Sequence, residues 1–231
     1  EQLKCGLAPE EYTGLGEVYT PLRDYLLSSS ELDSKDIAGA TVFTTQDPSQ
    51  DMKALRTEVR KITPQDVSSW TSTSRSNHTL YQGKIVLPIY QTGTAPYSYE
   101  GGEIVFESGV PQQTRTETVD FSLTIPDGTI PGSGWPIVVY QHGTGGDYES
   151  FVYNDVAEEL AAQGIAVLGI SQPLHFGREG YDYDTLELNV FNIINPVAFR
   201  DNIRQSAAEV LFLVHMIEQG KFNVPSAVSG T

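Results

Sequence analysis

The 231-residue chain has a single cysteine, Cys5. No disulfide can close within it, and no cysteine-based metal site can form from it alone. Cys5 is either a partly buried free thiol or one half of a bridge to a cysteine elsewhere. Cations are scarce as well: 14 Lys+Arg stand against 30 Asp+Glu, for a formal net charge of −16. That balance argues against nucleic-acid backbones and anionic membranes as partners. No apolar run approaches the roughly 20 residues of a membrane span. The four histidines show no metal-ligand spacing with a third ligand, so neither a metal nor another cofactor is expected. No signal peptide is visible, and the chain opens at Glu1 without a Met, which predicts a processed or trimmed chain.

What remains is ordinary globular material, 39% hydrophobic, with its structural signals in blocks. Residues 1–36 carry little regular signal beyond short helices over Pro9–Tyr12 and Pro21–Ser28. Thr41–Thr45 predicts a strand. Asp47–Arg60 predicts a helix with Met52, Leu55 and Val59 on one face. From Leu80 to Ile125 the period becomes two. Strands are expected over Gly83–Tyr90 (at a sheet edge, because of Pro88), Gly102–Glu107 and Glu117–Ile125, with one face wet. Near the end, Val197–Gln219 predicts a long helix. Ile203, Ala207, Val210, Val214 and Ile217 form its expected core stripe, and Gly220 stops it. Arg200, Asp201 and Gln205 read by default as a solvated first turn, with a buried polar network as the alternative.

The stretch Trp135–Ile170 organises the rest. An apolar run, Pro136–Tyr140, leads into the turn Gln141-His142-Gly143-Thr144-Gly145-Gly146-Asp147, then a helix-period segment to Gln163, a Gly164 stop and a second apolar run, Ile165–Ile170. Two continuous apolar strands joined by an amphipathic helix predict a βαβ unit with parallel strands. Ligands of open α/β sheets bind where such a strand ends and its helix begins. The turn lacks the Gly-x-Gly-x-x-Gly spacing of a dinucleotide site, since Tyr148 fills the last position. No Gly-Lys-Ser/Thr occurs either.

A His-Gly pair at a strand end, followed by small residues, leaves backbone N–H groups available to hold the oxyanion of a tetrahedral intermediate. The bland alternative is a tight turn in a βαβ unit. The strand PIVVY, the His-Gly of QHGTGG, the following helix and the strand IAVLGI resemble the α/β-hydrolase superfamily. Together with Thr41–Arg56 and Arg200–Gln205, they resemble bacterial extracellular lipase- and esterase-like hydrolases that carry a β-rich N-terminal region. The resemblance implies that the Thr144 N–H contributes to an oxyanion hole, with Gly143 and Gly145 permitting the turn and His142 bracing it. His175 and Gln172 are candidate pocket residues.

In that family the nucleophile sits in a Gly-x-Ser-x-Gly elbow, followed by an acid and then a histidine. No such elbow follows the last helix. Gly169-Ile170-Ser171-Gln172-Pro173 ends in proline, where an elbow needs a helix. The expected fold is therefore α/β, the N-terminal part of a hydrolase sheet preceded by an antiparallel β-rich region. The expected division is 1–115 (β-rich, with short helices) and 116–231 (first part of the core). The nucleophile, acid and catalytic histidine would lie outside this chain, in a C-terminal remainder present as a second chain after nicking or as a missing segment. A small carboxylic ester is the expected substrate. The resemblance implies a secreted, periplasmic or cell-surface bacterial setting. A peptidase of the same fold and a non-catalytic binding module are the alternatives.

Overall fold

A computed structural model describes residues 17–29, 37, 40–43, 45 and 47–229. Cys5 and the expected Pro9–Tyr12 helix lie outside the described residues. The chain divides into two compact units, Glu1–Asp47 and Pro48–Thr231. In the first unit the described regular element is helix α1, Thr20–Ser28, with Pro21 in its first turn, where a missing N–H costs nothing. Thr41–Phe43 and Thr45 are not in a strand, contrary to the β-branched pattern.

The second unit is mixed α/β. Its sheet has five strands: β1 (Ser68–Ser74), β2 (His78–Ile89), β5 (Arg115–Pro126), β6 (Ile137–Tyr140) and β7 (Ala166–Ile170), in the spatial order β1-β2-β5-β7-β6. β3 (Phe106–Glu107) and β4 (Val110–Pro111) form a separate small hairpin, so the expected Gly102–Glu107 strand shrinks to its last two residues. The pairs β1–β2, β2–β5 and β5–β7 are antiparallel, whereas β6 and β7 are parallel. β2 and β5 pair along their whole length, and β5 also pairs with β7. The strands on either side of the expected 115/116 boundary thus belong to one sheet.

Pro88 has a local explanation. β1 covers β2 only from Lys84 back to Thr79, so at Pro88 the strand has β5 alone as a neighbour, opposite Thr116. The missing N–H falls where no ladder needs it.

Helices cover both faces of the sheet. On one side lie α2 (Gln50–Val59) and α6 (Pro196–Glu218). Leu55 and Val59 are fully buried there with Leu87, Phe121, Phe212 and Leu213. Phe121 packs edge-on against Trp70 and Phe222, each at 5.3 Å between ring centroids. Burying each such ring stabilises the unit by about 1.5–3 kcal/mol. On the other side, Phe151, Ala157 and Val167 form a smaller core under α3 (Ser150–Tyr153) and α4 (Val156–Ala162). These two short helices replace the single expected helix. The break falls at Asp155, whose φ of 65° no helix accepts. Ser122 and Thr124 of β5 are buried, so the expected wet face of that strand is dry over its second half.

The largest correction concerns α6. Its expected core stripe is turned outward over most of its length, with Ile203 54% and Val214 38% exposed and Ala207 and Val210 half-buried, while Ile217 packs against the core as expected. The buried face carries Asp201, Asn202, Gln205 and Glu209 along with Ala208, Phe212 and Met216. Asp201 and Gln205 are not a solvated turn, since both are fully buried. After α6 comes α7 (Ser226–Ser229); a short 3₁₀ turn (Tyr183–Thr185) and α5 (Leu186–Val190) precede α6.

Candidate active site

Because β6 and β7 are parallel, the loops leaving their C-terminal ends, 141–149 and 171–182, share one edge of the sheet. The first is a tight turn. The Gly146 N–H donates to the Gly143 carbonyl at 3.0 Å, and Gly145 has φ of +86° at the third position, where such a turn needs glycine. Gly146 is fixed for another reason. A Cβ there would lie 2.7 Å from the His142 Cβ and 2.8 Å from the Ser150 hydroxyl. Gly143 has nothing within 4 Å of a Cβ position and no positive φ. Sequence reasoning named Gly143 and Gly145 and passed over Gly146, whose need comes only from packing.

His142 ties the two loops together. Its Nε2 accepts from the Gln172 N–H at 2.9 Å, which leaves the proton on Nδ1, 2.7 Å from the Gly143 carbonyl it donates to. Burial lowers the ring's pKa, outweighing the Gly143 carbonyl and the Asp147 charge that favour the cation. With both nitrogens engaged, the neutral ring is not placed to exchange protons with a ligand.

Beyond the turn the backbone donors are occupied. The Asp147 N–H goes to the Ser150 hydroxyl at 2.8 Å, the Tyr148 N–H to Ser171 Oγ at 3.1 Å and the Glu149 N–H to Asp147 Oδ1 at 2.9 Å. Among the described residues the N–H groups of Gly143, Thr144 and Gly145 have no acceptor, and all three residues are exposed. Burial and the neighbouring acids Glu149, Asp120 and Asp147 push the Tyr148 phenol up to about 12, so it stays protonated at neutral pH.

His175 packs edge-on to His142, ring centroids 4.7 Å apart. Its Nδ1 lies 3.0 Å from the Pro173 carbonyl, and its buried Nε2 has no partner among the described residues. Burial lowers its pKa too, with His142 and Arg178 adding to the effect. The Gln172 side chain reaches the hydroxyl of Ser206 on α6 and the amide of Gln141. His142, Gln172 and His175 are thus gathered at one edge beside the turn, all buried, while Thr144 stands in solvent. Ser171 is buried, and its hydroxyl is taken by Tyr148. Among the described residues no serine hydroxyl is hydrogen-bonded to a histidine, and no cluster of His, Cys, Asp or Glu could hold a metal.

Sequence reasoning missed the support beneath the second loop. Arg178, its side chain 2% exposed, donates to both oxygens of Glu117 at 2.9 Å and to both oxygens of Glu209 at 2.8 and 3.0 Å. Its last donor holds the Ser171 carbonyl at 2.7 Å. Gln205 extends the network, donating to Glu209 and to the Pro88 carbonyl and accepting from the Tyr90 N–H. Arg178 follows a loop, and Glu117 and Glu209 lie 61 and 31 residues from it, so no spacing rule connects them.

No family model matches the chain, and no curated protein does. Among solved structures it is similar, at TM-score 0.39 and 13% identity, to a Bacteroides fragilis protein provisionally named an acetyl xylan esterase. The match covers 76% of this chain and 43% of that one, so the chain spans less than half of its length. A likeness this slight fixes neither family nor chemistry.

Proposed function

We propose that this chain is the oxyanion-binding part of a serine hydrolase that cleaves carboxylic esters. One observation carries the reading. Three consecutive backbone N–H groups, those of Gly143, Thr144 and Gly145, stand without acceptors among the described residues, in a turn braced from both sides at the C-terminal edge of a parallel strand pair. Donors held in place before reaction stabilise a developing oxyanion without reorganising, an effect of roughly 2.7–4 kcal/mol per donor in an enclosed site. Thr144 offers the central N–H. His142 acts by holding the turn and His175 and Gln172 by lining the adjoining wall.

The nucleophile, acid and catalytic histidine come from a polypeptide segment beyond these 231 residues. That segment also shields the turn from water, without which its donors are worth little. Secretion or a cell-surface location suits this reading.

The test uses the full translation product of the gene. A fluorophosphonate probe should label one serine outside residues 1–231, and p-nitrophenyl esters should be cleaved in preference to anilides. Preference for anilides would make the protein a peptidase. The absence of a serine–histidine pair among the described residues favours a second reading, a non-catalytic binding module, which predicts no labelling at all.

A further inference from the structure

A cleft lies at the end of β6 and β7 away from the candidate active site. Its volume is about 660 Å³. Ile137 and Ala166, where the two strands begin, line it, whereas the Gly143–Gly146 turn follows their ends. Strand register builds its floor. Tyr81 stands opposite Leu123 and Thr79 opposite Ile125, so these four side chains share one face of the sheet. Phe222 and Val224 line the cleft from the segment that follows α6, and Asp127, Ile130 and Trp135 from the β5–β6 loop.

Two features set its chemistry. Three aromatic residues, Tyr81, Trp135 and Phe222, line it beside aliphatic side chains, and Ile130, 67% exposed, adds apolar surface that solvent still reaches. Among the described residues, Asp127 is the one charged group in the lining. Its carboxylate makes no ion pair among those residues, and Lys221, which precedes Phe222, is held by Asp66 at 2.6 Å and does not line the cleft. A cleft of this size, apolar with a few polar groups, has the dimensions of a small-molecule site. Aromatic faces attract a cation through their quadrupole, and a lone carboxylate favours a positive charge over a negative one. The aliphatic lining would leave the hydroxyls of a sugar unpaired, which disfavours so polar a ligand.

We propose that this cleft binds a small organic cation, an ammonium group carried on an apolar body, with the ammonium at Asp127 and the body beside Trp135, Tyr81 and Phe222. The apolar body supplies most of the affinity, since Asp127 is exposed and an exposed ion pair is weak. The charge supplies the selectivity. The site is separate from the oxyanion-binding turn, and it stands whether or not the esterase reading holds.

The test titrates the full translation product of the gene, labelled with nitrogen-15, with three probes that share one body: 4-phenylbutylamine, 4-phenylbutanol and 4-phenylbutyrate. The amine should bind about tenfold more tightly than the alcohol, and the acid most weakly of the three. The amide resonances of Asp127, Ile130 and Asn223 should shift during the amine titration, and those of Gly143 to Gly146 should not. Asp127→Asn, at an exposed position, should weaken the amine by about threefold and leave the alcohol unchanged. Glu107→Gln removes the same charge from another exposed position and should change neither. Equal binding of amine and alcohol overturns the proposal, as does an Asp127→Asn variant that binds the amine as the parent does. If Glu107→Gln weakens the amine as much as Asp127→Asn, the net negative charge of the chain is the attractant and the proposal fails. Shifts confined to Gly143–Gly146 place the amine in the other site and also overturn it.

Discussion

Replacing Arg178 with methionine keeps an unbranched, flexible stem and removes all five of its donors. Those donors serve Glu117, Glu209 and the Ser171 carbonyl, with side-chain exposures of 2% for Arg178, 9% for Glu117 and 1% for Glu209. The variant leaves two carboxylates in the interior with no cation between them. Breaking a buried ion pair from one side costs about 3–5 kcal/mol. For a unit the size of Pro48–Thr231 that lowers the melting temperature by roughly 6–20 °C.

Removing the carboxylates as well, in Arg178→Met with Glu117→Leu and Glu209→Leu, should recover most of the loss, since the penalty is for unpaired charge rather than lost attraction. Urea unfolding at pH 7 measures both variants. The reasoning fails if the single substitution costs under about 1 kcal/mol, or if the triple variant is no better than the single. The pH dependence gives an independent reading. Burial opposes ionisation of Glu117, but the Arg178 hydrogen bonds and charge, with the Glu179 N–H, prevail and hold its pKa below the usual carboxyl value. Its contribution is complete above the unfolded pKa, about 4.3, and is lost as pH falls from there through the folded value. Arg178→Met should erase that acid limb.

Three further outcomes follow from the same contacts. Gly145→Val, at φ +86°, should cost about 1–2 kcal/mol in urea unfolding, whereas Gly143→Ala, with open space around it, should stay within about 0.5 kcal/mol. Burial lowers the pKa of His78, His142 and His175, so folding excludes protons that the unfolded chain takes up. Stability is therefore full above about pH 6.5 and declines as pH falls from there toward the folded values, and the urea midpoint at pH 5.5 should lie below that at pH 7.5. Asn202→Ala strands the Asn189 and Val190 carbonyls and the Gln91 amide in the interior and should cost about 2–3 kcal/mol by the same assay.

The βαβ unit was legible because its signals are local: two apolar runs, a Gly-rich turn and a Gly164 stop. β2 and β5 were legible by alternation, and α2 by its Met52, Leu55, Val59 face. Thr41–Phe43 shows the limit of β-branched propensity where no partner strand takes it up. The helix after the turn was misread because its period passes unbroken through Asp155, and only the positive φ there divides it. At the candidate site, the turn and a bracing role for His142 could be read from sequence, but the partners of that brace could not. The His142–Gln172 and Arg178–Glu117–Glu209 contacts depend on which strand ends meet, and that is decided by the order of the sheet.

The inverted face of α6 follows from the segments it packs against. Residues 90–104 and 171–195 are mostly irregular, and irregular backbone near a core must find hydrogen-bond partners outside any ladder. The polar side chains of α6 are those partners. Asp201 accepts from the Ile104 N–H at 2.8 Å, Asn202 donates to the Asn189 and Val190 carbonyls at 3.2 Å, and Gln205 serves Tyr90 and Pro88 at 2.9 Å. Glu209, one turn further on, holds Arg178 and through it the Ser171 carbonyl beside the candidate site. Periodicity ranks faces by hydrophobicity alone and so assigned the apolar stripe to the core. Each inward polar group would be costly if unpaired, yet here Asp201, Asn202 and Gln205 bond backbone groups directly and Glu209 bonds Arg178. The same rotation that rigidifies the two site loops leaves Ile203 and Val214 exposed and Ala207 and Val210 half-buried. The order of the site and the outward turn of the stripe therefore have one cause, and a variant that rotated α6 to bury its stripe would have to release the Arg178 network.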